Sequence, residues 1–100
     1  MSTNTYEVRF GALVLEEFEA LGLENEIPNQ QKVGARFKAD FTAEELKVFR
    51  ASVEFLIWHN REVRRETGTY YRHEYNELTR LINQLITVLK NIDAVQPISA

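Results

Sequence analysis

The sequence predicts a small α+β domain, mostly helical, built on a long antiparallel helical hairpin with a small N-terminal β element and one short helix. Three observations carry that prediction. Tyr71, Tyr75, Leu78, Ile82, Leu85, Leu89 and Ile92 recur at alternating four- and three-residue steps, the seam of an amphipathic helix. Leu46, Phe49, Val53, Leu56, Asn60 and Val63 show the same spacing in the stretch before it. Between the two lies Glu66-Thr67-Gly68-Thr69, where Gly68 can take a left-handed conformation and end a helix. Helices over 42–66 and 69–92, joined so briefly, must lie side by side and antiparallel.

The elements follow in chain order. Residues 5–10 alternate, with Tyr6, Val8 and Phe10 on one side and Thr5, Glu7 and Arg9 on the other, which favours a strand. Tyr6, Phe10, Leu13, Val14, Phe18 and Leu21 also fit one longer helix, and Gly11 argues for a break. Residues 12–22 read as a helix with Val14, Leu15, Phe18 and Leu21 on its apolar side and Gly22 as its stop. Pro28 and Asn29 mark a loop. Residues 32–41 read as one strand, with Val33, Ala35, Phe37, Ala39 and Phe41 facing one way and Lys32, Arg36, Lys38 and Asp40 the other. If the two strands pair, Glu7 opposes Arg36 or Lys38.

The first long helix opens on Thr42-Ala43-Glu44-Glu45, the pattern of a capping box. Thr67 or Thr69 is expected to cap the second. Pairing outward from Gly68 sets Asn60 opposite Tyr75, an amide beside a phenol that would fix the register. The tail over 93–100 is expected to fray.

Length and composition bound the function. One hundred residues, 44% of them hydrophobic, suffice for a single domain with its own core. No apolar run is long enough to cross a membrane, so no membrane partner is expected. The first residues lack the basic and apolar regions of a signal peptide, and a cytoplasmic location is expected. The absence of cysteine excludes disulfides and thiolate metal sites. A net charge of −3 does not make the chain as a whole an electrostatic match for nucleic acid.

Two surfaces stand out. Val48, Ala51, Phe55 and Trp58 form a second seam on the first long helix, well round from the first. A helix apolar on two sides is sandwiched, so either the N-terminal strands or another chain must cover it. With a two-stranded sheet marginal on its own, this predicts a homodimer, with Phe37, Val48, Phe55 and Trp58 as interface residues. The second surface is the hairpin tip. Arg61, Arg64, Arg65, Tyr70, Arg72 and His73 gather near the bend, and guanidinium forks with aromatic faces suit a nucleotide or a nucleic-acid phosphate.

Other chemistries find little support. His59, Glu62, His73 and Glu77 match no standard metal-ligand spacing, so no metal or other cofactor is expected. The acids from Glu16 to Glu26 could mimic a nucleic-acid backbone, but such a run is commonly a solubilising surface. No carboxylate pair or nucleophile constellation marks catalytic residues, and none is expected. The reading is a non-enzymatic interaction or regulatory protein, of the adaptor, inhibitor or accessory type, acting as a homodimer through helical surfaces. The alternative is a phosphate-binding module using the tip.

Overall fold

A computed structural model describes residues 4–95. The chain forms β1 (Tyr6–Phe10), α1 (Ala12–Ala20), a single 3-10 turn (Glu24–Glu26), β2 (Gln31–Val33), β3 (Arg36–Phe41), α2 (Ala43–Thr67) and α3 (Arg72–Ala94). The class is α+β and mostly helical, with α2 and α3 packed as an antiparallel hairpin. A three-stranded antiparallel sheet in the order β1-β3-β2 lies at its base.

β1 is a strand, and the single-long-helix alternative for Tyr6 to Leu21 is set aside. Val8 and Phe10 are buried from one face, and Gly11 separates the strand from α1. The stretch 32–41 is not one strand. Gly34 and Ala35 form a two-residue hairpin turn, with Gly34 at φ 64° and Val33 directly paired with Arg36. Glycine at the first central position with positive φ is the signature of a type II′ turn, whose twist matches that of the strands. The turn also reverses the facing of β2, with Lys32 opposite Phe37 and Val33 opposite Arg36. Directly opposed residues share a face, so Val33 lies with Arg36, on the side away from Phe37, Ala39 and Phe41.

The pairing of β1 also differs from expectation. Glu7 stands directly opposite Asp40, not Arg36 or Lys38. Two acids so placed repel. Lys38 Nζ reaches Glu7 diagonally at 3.3 Å and Arg9 Nε reaches it at 3.2 Å. These hydrogen bonds, Arg9's first and Lys38's second, hold the Glu7 carboxyl below its ordinary range.

The core forms where sheet, α1 and hairpin meet. Phe49 is its centre, 4.6 Å from the Phe41 ring, 5.2 Å from Phe18 and 6.3 Å from Phe10. Val53, Leu56, Leu85, Val88 and Ile92 complete the hairpin's contribution. Each fully buried side chain of this size contributes about 1.5–3 kcal/mol.

Both ends of α2 are chemically marked. Glu45 N–H donates to Thr42 Oγ1 at 3.2 Å and Thr42 N–H donates to Glu45 Oε1 at 2.8 Å, closing the capping box. Gly68 follows the last residue at φ 65°. The start of α3 departs from expectation. Neither Thr67 nor Thr69 caps it; Tyr71 occupies the cap position without a side-chain hydrogen bond, and Thr67 donates back to Val63 O within α2. At the far end α3 continues through Ala94, so Asp93 is helical and bound to Arg50, while the expected frayed tail from residue 96 onward lies outside the described residues.

Candidate functional site

α2 is a helix with two apolar faces because both seams run along it. Its inner seam is consumed: Phe49, Val53, Leu56 and Asn60 are buried against the sheet, α1 and α3. The sheet therefore does not cover the outer seam, contrary to one of the two expectations for it. Val48 is 51% exposed, Phe55 50% and Trp58 60%. The reason is register. Phe37, Ala39 and Phe41 point from β3 toward the Phe10–Phe49 cluster, and Phe37 itself stacks on Phe10 at 6.1 Å between centroids. Of the four expected interface residues, Phe37 is thus drawn into the core and the other three remain together along α2.

The outer seam is locally ordered. The Phe55 ring stacks on His59 at 5.7 Å with only 12° between planes, and lies 6.1 Å from Trp58. At its N-terminal end Val48 borders a small cleft of about 160 Å³ shared with Asn25, Glu26, Pro28 and Glu45. Ser52 donates to the Glu26 carboxylate, which ties the 24–28 loop to α2 beside the seam. The acidic run is accordingly not one free surface. Glu26 is held there, and Glu17 accepts from Asn60 Nδ2 at 2.7 Å.

Asn60 is the buried polar residue of the hairpin, 4% exposed. Its partners are Glu17 on α1 and Leu56 O at 2.8 Å, and not Tyr75. The amide fixes α1 against α2 rather than setting the register of α2 on α3.

At the tip the six expected ligand-binding residues separate into two groups. Arg64 turns inward, donating to Thr79 Oγ1 at 3.1 Å with its guanidinium 5.5 Å from the Tyr75 ring centre. Arg65 donates to Glu62 at 2.7 Å, a bond that raises its already high pKa. Arg61, Tyr70, Arg72 and His73 remain exposed, and among the described residues none of them takes part in an ion pair. Tyr70 is 89% exposed and meets Tyr71 edge-on at 5.1 Å.

A further cleft, of about 500 Å³, was not anticipated from sequence. It opens between the start of α1, the β2–β3 turn and the outer side of α3, and carries Arg36, Arg80 and Gln84. Its parts come from three separate stretches with no shared periodicity, so only the fold assembles them. Among the described residues no three His, Asp or Glu side chains converge as a metal site, and no helix is long and apolar enough to cross a membrane. The chain matches no protein-family model, no curated protein and no solved structure.

Proposed function

We propose that this chain is a non-enzymatic interaction protein, of the adaptor or inhibitor kind, that acts as a homodimer through the outward face of α2. The observation that carries the reading is the exposure of Val48, Phe55 and Trp58 on one side of a helix whose other side is buried. Three large apolar side chains in one row, with Lys47, Glu54 and Glu62 beside them, form an apolar centre with a polar border. A patch of this kind pairs with its own copy about a two-fold axis without needing a second surface.

Size sets the expected strength. The exposed stripe from Val48 to Trp58 spans roughly 15 Å at about 1.5 Å per residue, and at about 10 Å wide it covers roughly 150 Å². A standard interface takes roughly 800 Å² per partner. The stripe alone covers about a fifth of that, so the dimer must recruit flanking residues such as the 24–28 loop and is expected no tighter than the micromolar range. Sedimentation velocity from about 1 to about 200 μM tests this, a range that brackets a micromolar constant. Twice the chain mass at the upper end, reverting to one chain mass in Phe55→Asp with unchanged circular dichroism, is the expected result. One chain mass throughout overturns it.

A second reading, a nucleotide or nucleic-acid phosphate at the tip, draws support from the free exposure of Arg61, Arg72 and Tyr70. It predicts salt-sensitive retention on heparin that is lost in the Arg61→Ala, Arg72→Ala double variant. Elution of the wild type at low salt removes it.

A further inference from the structure

We propose that the cleft between α1, the β2–β3 turn and α3 binds a phosphate monoester, held by Arg36 and Arg80. The site shares no residue with the α2 seam or the hairpin tip. Its volume of about 500 Å³ is that of an ordinary small-molecule site. Arg36 and Arg80 are the charged residues that line it, and no acid lines it, in a chain whose net charge is −3. A cationic cleft on an acidic protein favours an anion by charge alone.

The two guanidiniums arrive from different elements, Arg36 from the first position of β3 and Arg80 from the middle of α3. Arg36 is in no ion pair among the described residues. Arg80 reaches Glu77 at 3.3 Å, an exposed contact within one helix that gives way readily to a better acceptor. Gln84 also lines the cleft. Its Oε1 rests against Gly11, so close that a Cβ there would sit 2.9 Å away. Glycine at position 11 therefore leaves room for the Gln84 carboxamide beside the start of α1. That carboxamide makes no hydrogen bond among the described residues, and its NH2 group is a further donor for an anion.

The donor count selects the ligand. One guanidinium fork satisfies both oxygens of a carboxylate. Two forks from separate directions, with an amide beside them, suit the three oxygens of a phosphate monoester. Apart from Thr87, whose hydroxyl donates to Asn83 O, the remaining side chains Ala12, Leu13, Ala35 and Val88 are apolar and suit a small hydrocarbon or aromatic body on the fourth oxygen.

Amide-resolved NMR titration of the full chain tests the assignment, with phenyl phosphate, inorganic phosphate and benzoate as probes. Saturable shifts at Gly11, Ala12, Ala35 and Gln84 are expected with phenyl phosphate, and weaker binding with inorganic phosphate and with benzoate. Arg36→Ala and Arg80→Ala should each weaken phenyl phosphate by about tenfold, the loss of a charge-assisted bond. Both side chains are exposed, so the variants keep the wild-type spectrum away from the cleft. Arg36→Lys should retain part of the affinity. The proposal is overturned by unsaturable shifts, by benzoate binding as tightly as phenyl phosphate, by an unchanged affinity in the double variant, or by shifts centred on Arg61 and Arg72.

Discussion

The two halves of the helical hairpin are built from the same seam pattern and end in different physical states. In the base half, from Phe49 to Asn60 on α2 and from Ile82 to Ile92 on α3, seam residues are buried because α1 and the sheet close over them. In the tip half, from residue 61 to 81, no side chain is fully buried. There α1 still borders α3 at Glu77, Leu78 and Leu81, and Val63, Tyr75 and Leu78 are only partly buried. An amphipathic stripe specifies which side of a helix faces inward. Whether that side becomes a core depends on a third layer, and here that layer thins beyond Asn60 on α2 and Glu77 on α3.

Four measurements would break or sharpen this contrast. The largest effect is expected at the base. Phe49→Ala removes the ring that contacts Phe10, Phe18 and Phe41, and should cost about 3–5 kcal/mol by urea denaturation. Tyr75→Ala at the tip should cost well under that, about 1 kcal/mol, since its side chain is only partly buried. Equal losses would mean that base and tip are one equally packed unit.

Asn60→Ala tests the boundary itself. It removes the donor to Glu17 and leaves that carboxylate partly buried without its partner, for an expected loss of about 1–3 kcal/mol. Gly68→Ala forces a left-handed φ of 65° on a residue with a side chain and should cost about 1–2 kcal/mol. Hydrogen exchange in that variant should accelerate around the tip and leave the Phe49–Leu56 amides nearly unchanged. Acceleration spread evenly along both helices would contradict the division.

The smallest effect concerns acid. At the base end Arg50 Nε donates to Asp93 Oδ1 at 2.8 Å, linking α2 to the end of α3. The hydrogen bond from Arg50 holds the Asp93 carboxyl below the ordinary aspartate value of 3.8. A lowered folded-state pKa contributes stability above the unfolded value, and that contribution is lost as pH falls through the folded one. Carboxyl NMR titration should find Asp93 below the ordinary aspartate value, and Asp93→Asn should flatten the acid limb of the stability curve slightly. An unshifted Asp93 would show that the link is not populated in solution.

Much of this was legible in the sequence, for reasons that differ by element. The two long helices were readable because a seam sustained over many residues has few alternatives, and Thr42 with Glu45 is a local motif that needs no tertiary information. The Gly34–Ala35 turn was hidden. The letters alternate straight through it, so a continuous strand and a tight hairpin give the same pattern. Glycine followed by alanine was the available signal, and positive φ at Gly34 is its physical content. The partner of Asn60 was not readable at all. Tyr75 and Glu17 are both plausible acceptors, and the choice depends on where α1 docks. The fate of the α2 outer seam was left open between a strand and a second copy. The sheet's register decided that the strands do not cover it.

The tip arginines show the same limit at the candidate site. Sequence proximity grouped six residues, but a helix turns Arg64 inward and pairs Arg65 with Glu62, leaving Arg61, Tyr70, Arg72 and His73 outward. The cleft holding Arg36 and Arg80 had no sequence signature, because its residues become neighbours only when the β2–β3 turn is laid beside α3.

The position of the one tryptophan has a practical corollary. Trp58 stands on the outward side of α2, apart from the phenylalanine cluster that melts when the chain unfolds. Its fluorescence maximum should shift only slightly across the urea transition, since the indole is largely hydrated at both ends. A blue shift with rising protein concentration would instead report something settling on that side of the helix. The molecule thus carries an intrinsic optical probe that is nearly blind to its own folding and well situated to register company.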